Sequence, residues 1–398
     1  MKLKFIDPFL QFIHNSRAVG ITLLTCTALS LILANWSVTG ELYRNFFTTT
    51  FNGQEEHHLH LGILSLPNSP LLLINDLLMA VFFLLAGMEI KRELVAGELS
   101  SLKKSLLPVG GALGGMVAPA IIFLLINKGT VFANGWAIPT ATDIAFTLGV
   151  ASLLGDRVPV SLKIFLTALA IIDDLGAIVV IALFYGGSIQ VMYLLGCLLV
   201  TAILYALNRF KVKFGIINWI LGLLLWYCMF NSGIHATVAG VIFAMLVPTD
   251  ILHKYELKLH APVYFIIMPV FALANTAILF PGNPIQALNC TLSWGIIFGL
   301  LIGKPLGICI SCYLLVKNKL AELPNAVDWN KLIGAGLLAS IGFTMSIFIS
   351  TLAFSSPAEQ DIAKISVLLA SVIAMIAGFV WLKFPAKKNQ AKTRAINP

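Results

Sequence analysis

Two aspartates stand side by side, Asp173 and Asp174, near the middle of Ile164–Tyr185, a stretch otherwise almost unbroken in apolar residues. As a helix that stretch rises roughly 33 Å, enough to cross a bilayer. A carboxylate at mid-membrane costs at least about 2.5 kcal/mol, so an adjacent pair is expected to do chemistry rather than to pack. Neighbouring helical residues point about 100° apart, so one carboxylate can face a cavity while the other faces a neighbouring helix. A carboxylate takes either a proton or a hard cation such as sodium, which prefers carboxylate, hydroxyl, carbonyl and water oxygens. Entry of one expels the other, and a site that opens to one side at a time then exchanges them.

Three further charges lie inside apolar runs. Lys304, in GLLIGKPLG, is about twelve residues from either end of its run. That is about 18 Å by helical rise, too deep for its amine to reach water. It needs a partner, and an aspartate of the Asp173–Asp174 pair is the expected one. Asp143 lies in AIPTATDIAF, where Pro139 removes a helical donor and Thr140 and Thr142 bring hydroxyls. Such a cluster predicts a broken helix whose unwound backbone lines a cavity or is covered by protein. A central carboxylate there offsets paired helix N-termini. Asp76, in LLLINDLLMAVFFLL, reads either as lining an outer funnel or as capping its helix together with Asn75. Glu89 opens the run Glu89-Ile90-Lys91-Arg92-Glu93, an interfacial helix end that is either a solvated boundary or a gate.

The elements that must position these groups are apolar helices. The chain has 398 residues, 59% hydrophobic and only 11% charged, against about 25% charged in soluble proteins. Apolar runs give twelve candidate spans, near Ala18–Trp36, Leu71–Ile90, Leu106–Ile126, Trp136–Leu154, Val160–Tyr185, Val191–Leu207, Ile216–Phe230, His235–Val247, Pro262–Phe280, Leu292–Val316, Leu332–Phe354 and Ile362–Phe384. With both termini in the cytoplasm, all but four of the 26 basic residues fall on the inner side, as the positive-inside rule requires. The exceptions are Arg44, Lys128 and Lys364 outside and Lys304 within a span. The net charge of +8 therefore reads as membrane topology and not as a nucleic-acid surface. No cleavage site follows the first apolar run, which reads as a retained span. The eleventh span is interrupted by Ala339-Ser340-Ile341-Gly342-Phe343-Thr344, a second discontinuous helix seven spans after the first. Spans 3–5 and 10–12 would then form an inverted repeat.

The expected fold is an all-α polytopic membrane protein of twelve transmembrane helices in one domain, 1–398, ending in a cytoplasmic basic tail, 385–398. The outer loop 37–69 holds a small β-hairpin, with Phe46–Phe51 and Leu59–Leu66 flanking an Asn52-Gly53 turn. An exposed hairpin edge can pair with a second copy. His57, His58 and His60 read as solvated loop residues, because no matching ligand set is near. The six cysteines read as small core residues rather than a disulfide or zinc framework. No phosphate-binding loop suggests ATP-driven work, and no cofactor is expected.

The chain resembles the NhaA family of sodium/proton antiporters over essentially its full length. The resemblance lies in LINDLLMAVFFLLAGMEIKREL (Leu73–Leu94), GWAIPTATDIAFTLGV (Gly135–Val150), RVPVSLKIFLTALAIIDDLGAI (Arg157–Ile178), SGIHATVAG (Ser232–Gly240), LLIGKPLG (Leu300–Gly307) and IGFTMSIFI (Ile341–Ile349). That family is itself a type case of inverted-repeat transporters. The resemblance implies that Asp173 and Asp174 form the cation and proton site, with Asp174 the central sodium ligand. It implies that Thr142 and Asp143 lie where two broken helices cross and that Lys304 pairs with Asp173. It implies electrogenic exchange of sodium or lithium for protons, a bacterial inner-membrane location and a homodimer joined partly by the outer hairpin. Glu89, Arg92, Glu93, Glu256 and His260 match positions tied to control by pH. The family's best-known form has a histidine where this chain has Leu257, which bears on the pH response.

Three other functions fit parts of the pattern. An intramembrane aspartyl protease needs facing carboxylates, whereas these are adjacent on one segment and no Gly-x-Gly-Asp is present. A retinal-type pump would use Lys304 as a Schiff base, against which twelve spans and two broken helices speak. Another proton-coupled secondary transporter with a different substrate fits the residues alone as well as sodium exchange does.

Overall fold

The structure is a computed structural model that describes residues 6–54, 58–62, 64–280 and 288–384. His57 and the basic tail 385–398 lie outside the described residues. The order is α1 (Ile6–Asn35), α2 (Gly40–Thr48), β1 (His58–Leu61), β2 (Leu64–Pro67), α3 (Pro70–Ala96), α4 (Leu102–Ile126), a 3-10 segment (Val131–Thr140), α5 (Ile144–Leu153), α6 (Val160–Phe184) and α7 (Val191–Arg209). There follow α8 (Ile216–Asn231), α9 (Val238–Leu246), α10 (Thr249–Asn275), α11 (Thr291–Lys317), α12 (Trp329–Ala339), α13 (Phe343–Ala353) and α14 (Pro357–Lys383).

Among the described residues eight helices are long and apolar enough to cross a membrane, and α12 with α13, bent by 46°, makes up to nine. The other three apolar runs are covered by the 3-10 segment with α5, by α8 and by the short α9. A 3-10 helix rises about 2 Å per residue, so the ten residues Val131–Thr140 cover more height than an α-helix of that length.

Small residues let the central helices touch. A Cβ on Gly307 of α11 would lie 2.0 Å from the Gly114 carbonyl oxygen of α4, and one on Gly303 2.7 Å from Pro119 Cα. On α3 the residues Ala80, Leu84 and Met88, four apart, face a cluster with α7, α8 and α9, while Phe82, Phe83, Leu85 and Ile90 face the larger core. Gly240 of α9 locks the first contact, because a Cβ there would meet the Ala80 oxygen at 2.1 Å. Since Lys304 stands one turn before Gly307, Gly307→Ala should separate α4 from α11. It should cost about 1–3 kcal/mol, measured as a lower melting temperature in detergent.

Several expectations need correction. The hairpin pairs His58–Leu61 with Leu64–Pro67, in register Leu59↔Leu66, and Phe46 and Phe47 belong to helix α2. The aromatic run went to a helix because Phe47 is buried and edge-packed on Tyr43 one turn earlier. Asn52-Gly53 still turns the chain: Gly53 has φ 71°, and Asn52 Oδ1 accepts from Gln54 N at 3.0 Å. The cap of α3 is Ser69, whose Oγ accepts from Leu72 N, so Asn75 and Asp76 do not cap it. The ninth span begins at Thr249 and runs through Pro262, where a π-turn, Val263–Ile267, absorbs the missing donor. Cys309 and Cys312 do stand at Cys-x-x-Cys spacing, yet both are free thiols and Cys312 is buried.

Candidate functional site

Two helices break at the same place. The 3-10 segment ends at Thr140, residues 141–143 run without helix, and α5 begins at Ile144. Opposite, α12 ends at Ala339 and α13 starts at Phe343. The breaks bond to each other: Asp143 N donates to Ile341 O at 2.7 Å. One carboxylate serves both new N-termini. Asp143 Oδ1 accepts from Phe146 N at 3.1 Å, and Oδ2 accepts from Thr344 N at 3.1 Å and from the Thr344 hydroxyl. A negative charge there offsets two positive helix ends. At the opposing C-termini the groups differ. The Lys304 ammonium donates to Thr140 O, and Thr142 Oγ1 lies 2.9 Å from Ala339 O.

Helix α6 lays Asp173 and Asp174 beside this crossing. Asp173 Oδ2 is 2.6 Å from Lys304 Nζ and 2.5 Å from Thr142 Oγ1. Lys304 is fully buried, at 0% exposure. A π-turn at Gly299–Gly303 immediately precedes it, with Lys304 N donating to Gly299 O. That extra residue per turn sets the direction in which Lys304 leaves the helix. Asp174 is buried too. Its Oδ1, and Oδ1 of Asp173, have no hydrogen-bond partner among the described residues. A buried oxygen without a donor is costly, and two such oxygens on adjacent residues suit a proton or a cation. No group of three His, Cys, Asp or Glu residues able to hold a metal occurs among the described residues.

Residues 10–382 match the family model described as Na+/H+ antiporter 1. The chain belongs to the Na+/H+ antiporter 1 family. It is 48% identical over 397 residues to "Na(+)/H(+) antiporter NhaA 2" of Flavobacterium johnsoniae, covering 98% of this chain and 95% of that one. It is 45% identical over 392 residues to "Na(+)/H(+) antiporter NhaA" of Cytophaga hutchinsonii, covering 97% of each. It is 45% identical over 392 residues to "Na(+)/H(+) antiporter NhaA 1" of Klebsiella pneumoniae, covering 96% of this chain and 98% of that one.

In this antiporter-family chain a second polar cluster joins α3 to α10. Arg92 pairs with Glu256 and, at 3.0 Å, with Glu93. Glu256 and Glu89 are buried, and the His253 ring lies 3.8 Å from Glu256. His253 was missed in the sequence, although three residues before Glu256 is a helical neighbour. His260 lies against the Tyr264 ring, 4.6 Å between centroids. Lys91 caps the end of α9, with Nζ 2.7 Å from Met245 O and 2.6 Å from Val247 O. The structure keeps Asp76 out of both clusters. It sits half-buried in a π-turn, Ile74–Leu78, and its carbonyl accepts from Trp226 Nε1 at 3.0 Å. Thr344 was missed as a site residue, and its place in the second break was the available signal.

Proposed function

We propose that this chain exports sodium in exchange for protons by alternating access, with Asp173 and Asp174 as the shared site. The observation that carries the reading is the buried Asp174 Oδ1, without a partner among the described residues, beside the Asp173–Lys304 pair where two broken helices cross. The family and the printed names of its relatives support sodium and protons as the exchanged ions. The protein is a carrier and performs no covalent chemistry. In this reading the three shorter runs complete twelve spans in one domain, spans 3–5 and 10–12 repeat with inverted topology, and both ends face the cytoplasm of a bacterial inner membrane. Lithium is carried as well as sodium. More charge enters with protons than leaves with the cation, Asp76 lines the outer approach, and two copies associate through the outer hairpin. The test is proton movement in everted vesicles offered sodium, lithium, potassium and sugars in turn. Sodium and lithium alone should move protons. A response to a sugar and not to sodium would overturn the reading in favour of another proton-coupled transporter.

We also propose that Glu89, Arg92, Glu93, Glu256 and His260 set the pH response. They cluster where α3 meets α10, on the cytoplasmic side of this topology, with the carboxylates of Glu89 and Glu256 buried beside Arg92. Glu256→Gln removes one carboxylate from Arg92 while keeping the shape. It should move the half-activation pH by about one unit, the change that about 1.4 kcal/mol of lost charge interaction gives. With Leu257 in place of a histidine, the parent profile should be shifted or less steep than in the family's best-known form. Activity that stays flat from mildly acid to alkaline pH in the parent would remove these residues from control.

A further inference from the structure

A groove of about 620 Å³ runs between α12 and α14. Its wall is apolar, from Leu337, Ile373, Ile376 and Ala377. Its floor is where the two helices touch: a Cβ on Gly378 would lie 2.6 Å from Leu338 Cδ2, and one on Gly334 2.4 Å from Leu382 Cδ2. Ala377, with its short side chain, lines the groove beside that contact. Its outer rim faces away from the protein, with Ile376 58% and Phe384 68% exposed.

One end of the groove is not apolar. Trp381 lines it there and donates from Nε1 to Asn330 O at 2.9 Å. An indole held with its N–H at a helix end is the arrangement of membrane–water interfaces. Lys383 Nζ lies 5.5 Å from the centre of the Phe384 ring, also part of the lining. Arg157 Nη1 donates to Lys383 O at 2.7 Å. Two cations thus stand beside this end without lining the groove, Lys383 over the Phe379 and Phe384 rings and Arg157 on the Lys383 carbonyl, and neither makes an ion pair among the described residues. An aliphatic slot with an indole at one end and two cations without ion-pair partners beside that end complements a chain-bearing anion.

We propose that this groove holds an acyl chain of an anionic glycerophospholipid from the cytoplasmic leaflet, with Lys383 and Arg157 facing its phosphate. The proposal rests on the membrane topology given under Proposed function, which puts this end of α14 on the cytoplasmic side. The phosphate supplies the counter-charge that Lys383 and Arg157 lack. The chain supplies contact along Ile373 and Ile376. The lipid seats against α12, the half-helix whose far end brings Ala339 O to Thr142.

The test is quenching of Trp381 fluorescence by brominated phosphatidylglycerol and brominated phosphatidylcholine of the same chains. The Trp381 signal is taken as the difference from Trp381→Phe. Phosphatidylglycerol should bind more tightly by about fivefold for each cation at low salt. Lys383→Gln with Arg157→Gln should bring the two lipids level, while Ala377→Trp should reduce quenching by both. Equal quenching by the two lipids in the parent would overturn the proposal. So would a preference that survives the double change, or one lost on removing residues 385–398, which would assign the lipid to the tail. The double change lies on the surface and keeps the test alive if Ala377→Trp fails to fold. No transport is measured, so failure here is distinct from failure of the exchange assay.

Discussion

Asp174→Asn is expected to abolish sodium-driven proton movement in everted vesicles while the protein still inserts at its usual level. Asparagine keeps the volume of the aspartate and an oxygen at the same place. It cannot give up a proton to make room for a cation, and it offers no negative charge to balance one. A cation reaching the variant's site is short of one balancing charge, and an uncompensated charge inside a membrane costs at least about 2.5 kcal/mol. Exchange should accordingly fall by a factor of about a hundred or more at any sodium concentration reached. Stability should move the other way or not at all. Asp174 lies beside Asp173 on one helix, its Oδ1 has no donor to lose among the described residues, and removing its charge relieves repulsion between neighbours. Exchange close to that of the parent, in a variant that inserts and melts normally, would falsify the assignment of Asp174 as the shared group.

The parts of this site that could be read from sequence are those whose burial is expensive. Asp173, Asp174, Asp143 and Lys304 stand out because each puts charge into an apolar run. The same cost directs Lys304 toward an aspartate of α6. Burial alone did not choose between Asp173 and Asp174, since adjacent helical residues differ only in direction. Resemblance favoured Asp173, and the 2.6 Å contact in the structure involves its Oδ2. Pro139 and the Gly342 region marked where helices end, because proline lacks a donor and glycine tolerates a break. What escaped notice was neutral and local. Thr344 supplies both an amide and a hydroxyl to Asp143, yet a threonine inside a span costs little and so stands out little. The π-turns in α3, α10 and α11 add one residue to a helical turn and leave no trace in composition. The hairpin was misplaced because Phe46 and Phe47 suit a strand by propensity, while Phe47, buried against Tyr43, holds the run in a helix.

Replacing Lys304 by glutamine is expected to separate two roles that the structure superposes. Lys304 holds the crossing together through Thr140 O and Asp173 Oδ2, and it also carries a proton beside the proposed exchange site. The structural role predicts a loss of stability. Removing the ammonium leaves Asp173 charged in a buried site with only the Thr142 hydroxyl as donor among the described residues, a change worth about 3–5 kcal/mol. The empty protein should therefore melt well below the parent. Sodium, by supplying the missing positive charge, should restore part of that difference. The transport role predicts a change in charge balance. When a cation reaches the aspartates, Asp173 no longer neutralises the lysine, and an ammonium without a counter-ion is the expensive form inside a membrane. It then releases its proton, which adds to the protons moved against each sodium and makes exchange electrogenic. Lys304→Gln cannot do this, so the exchange that remains should be electroneutral. Proteoliposomes holding the variant should move sodium at the same rate with and without an imposed membrane potential, whereas the parent should respond to it. If the variant still follows voltage as the parent does, Lys304 is a structural counter-ion alone and the extra proton rides on Asp173, whose Oδ1 faces no donor among the described residues.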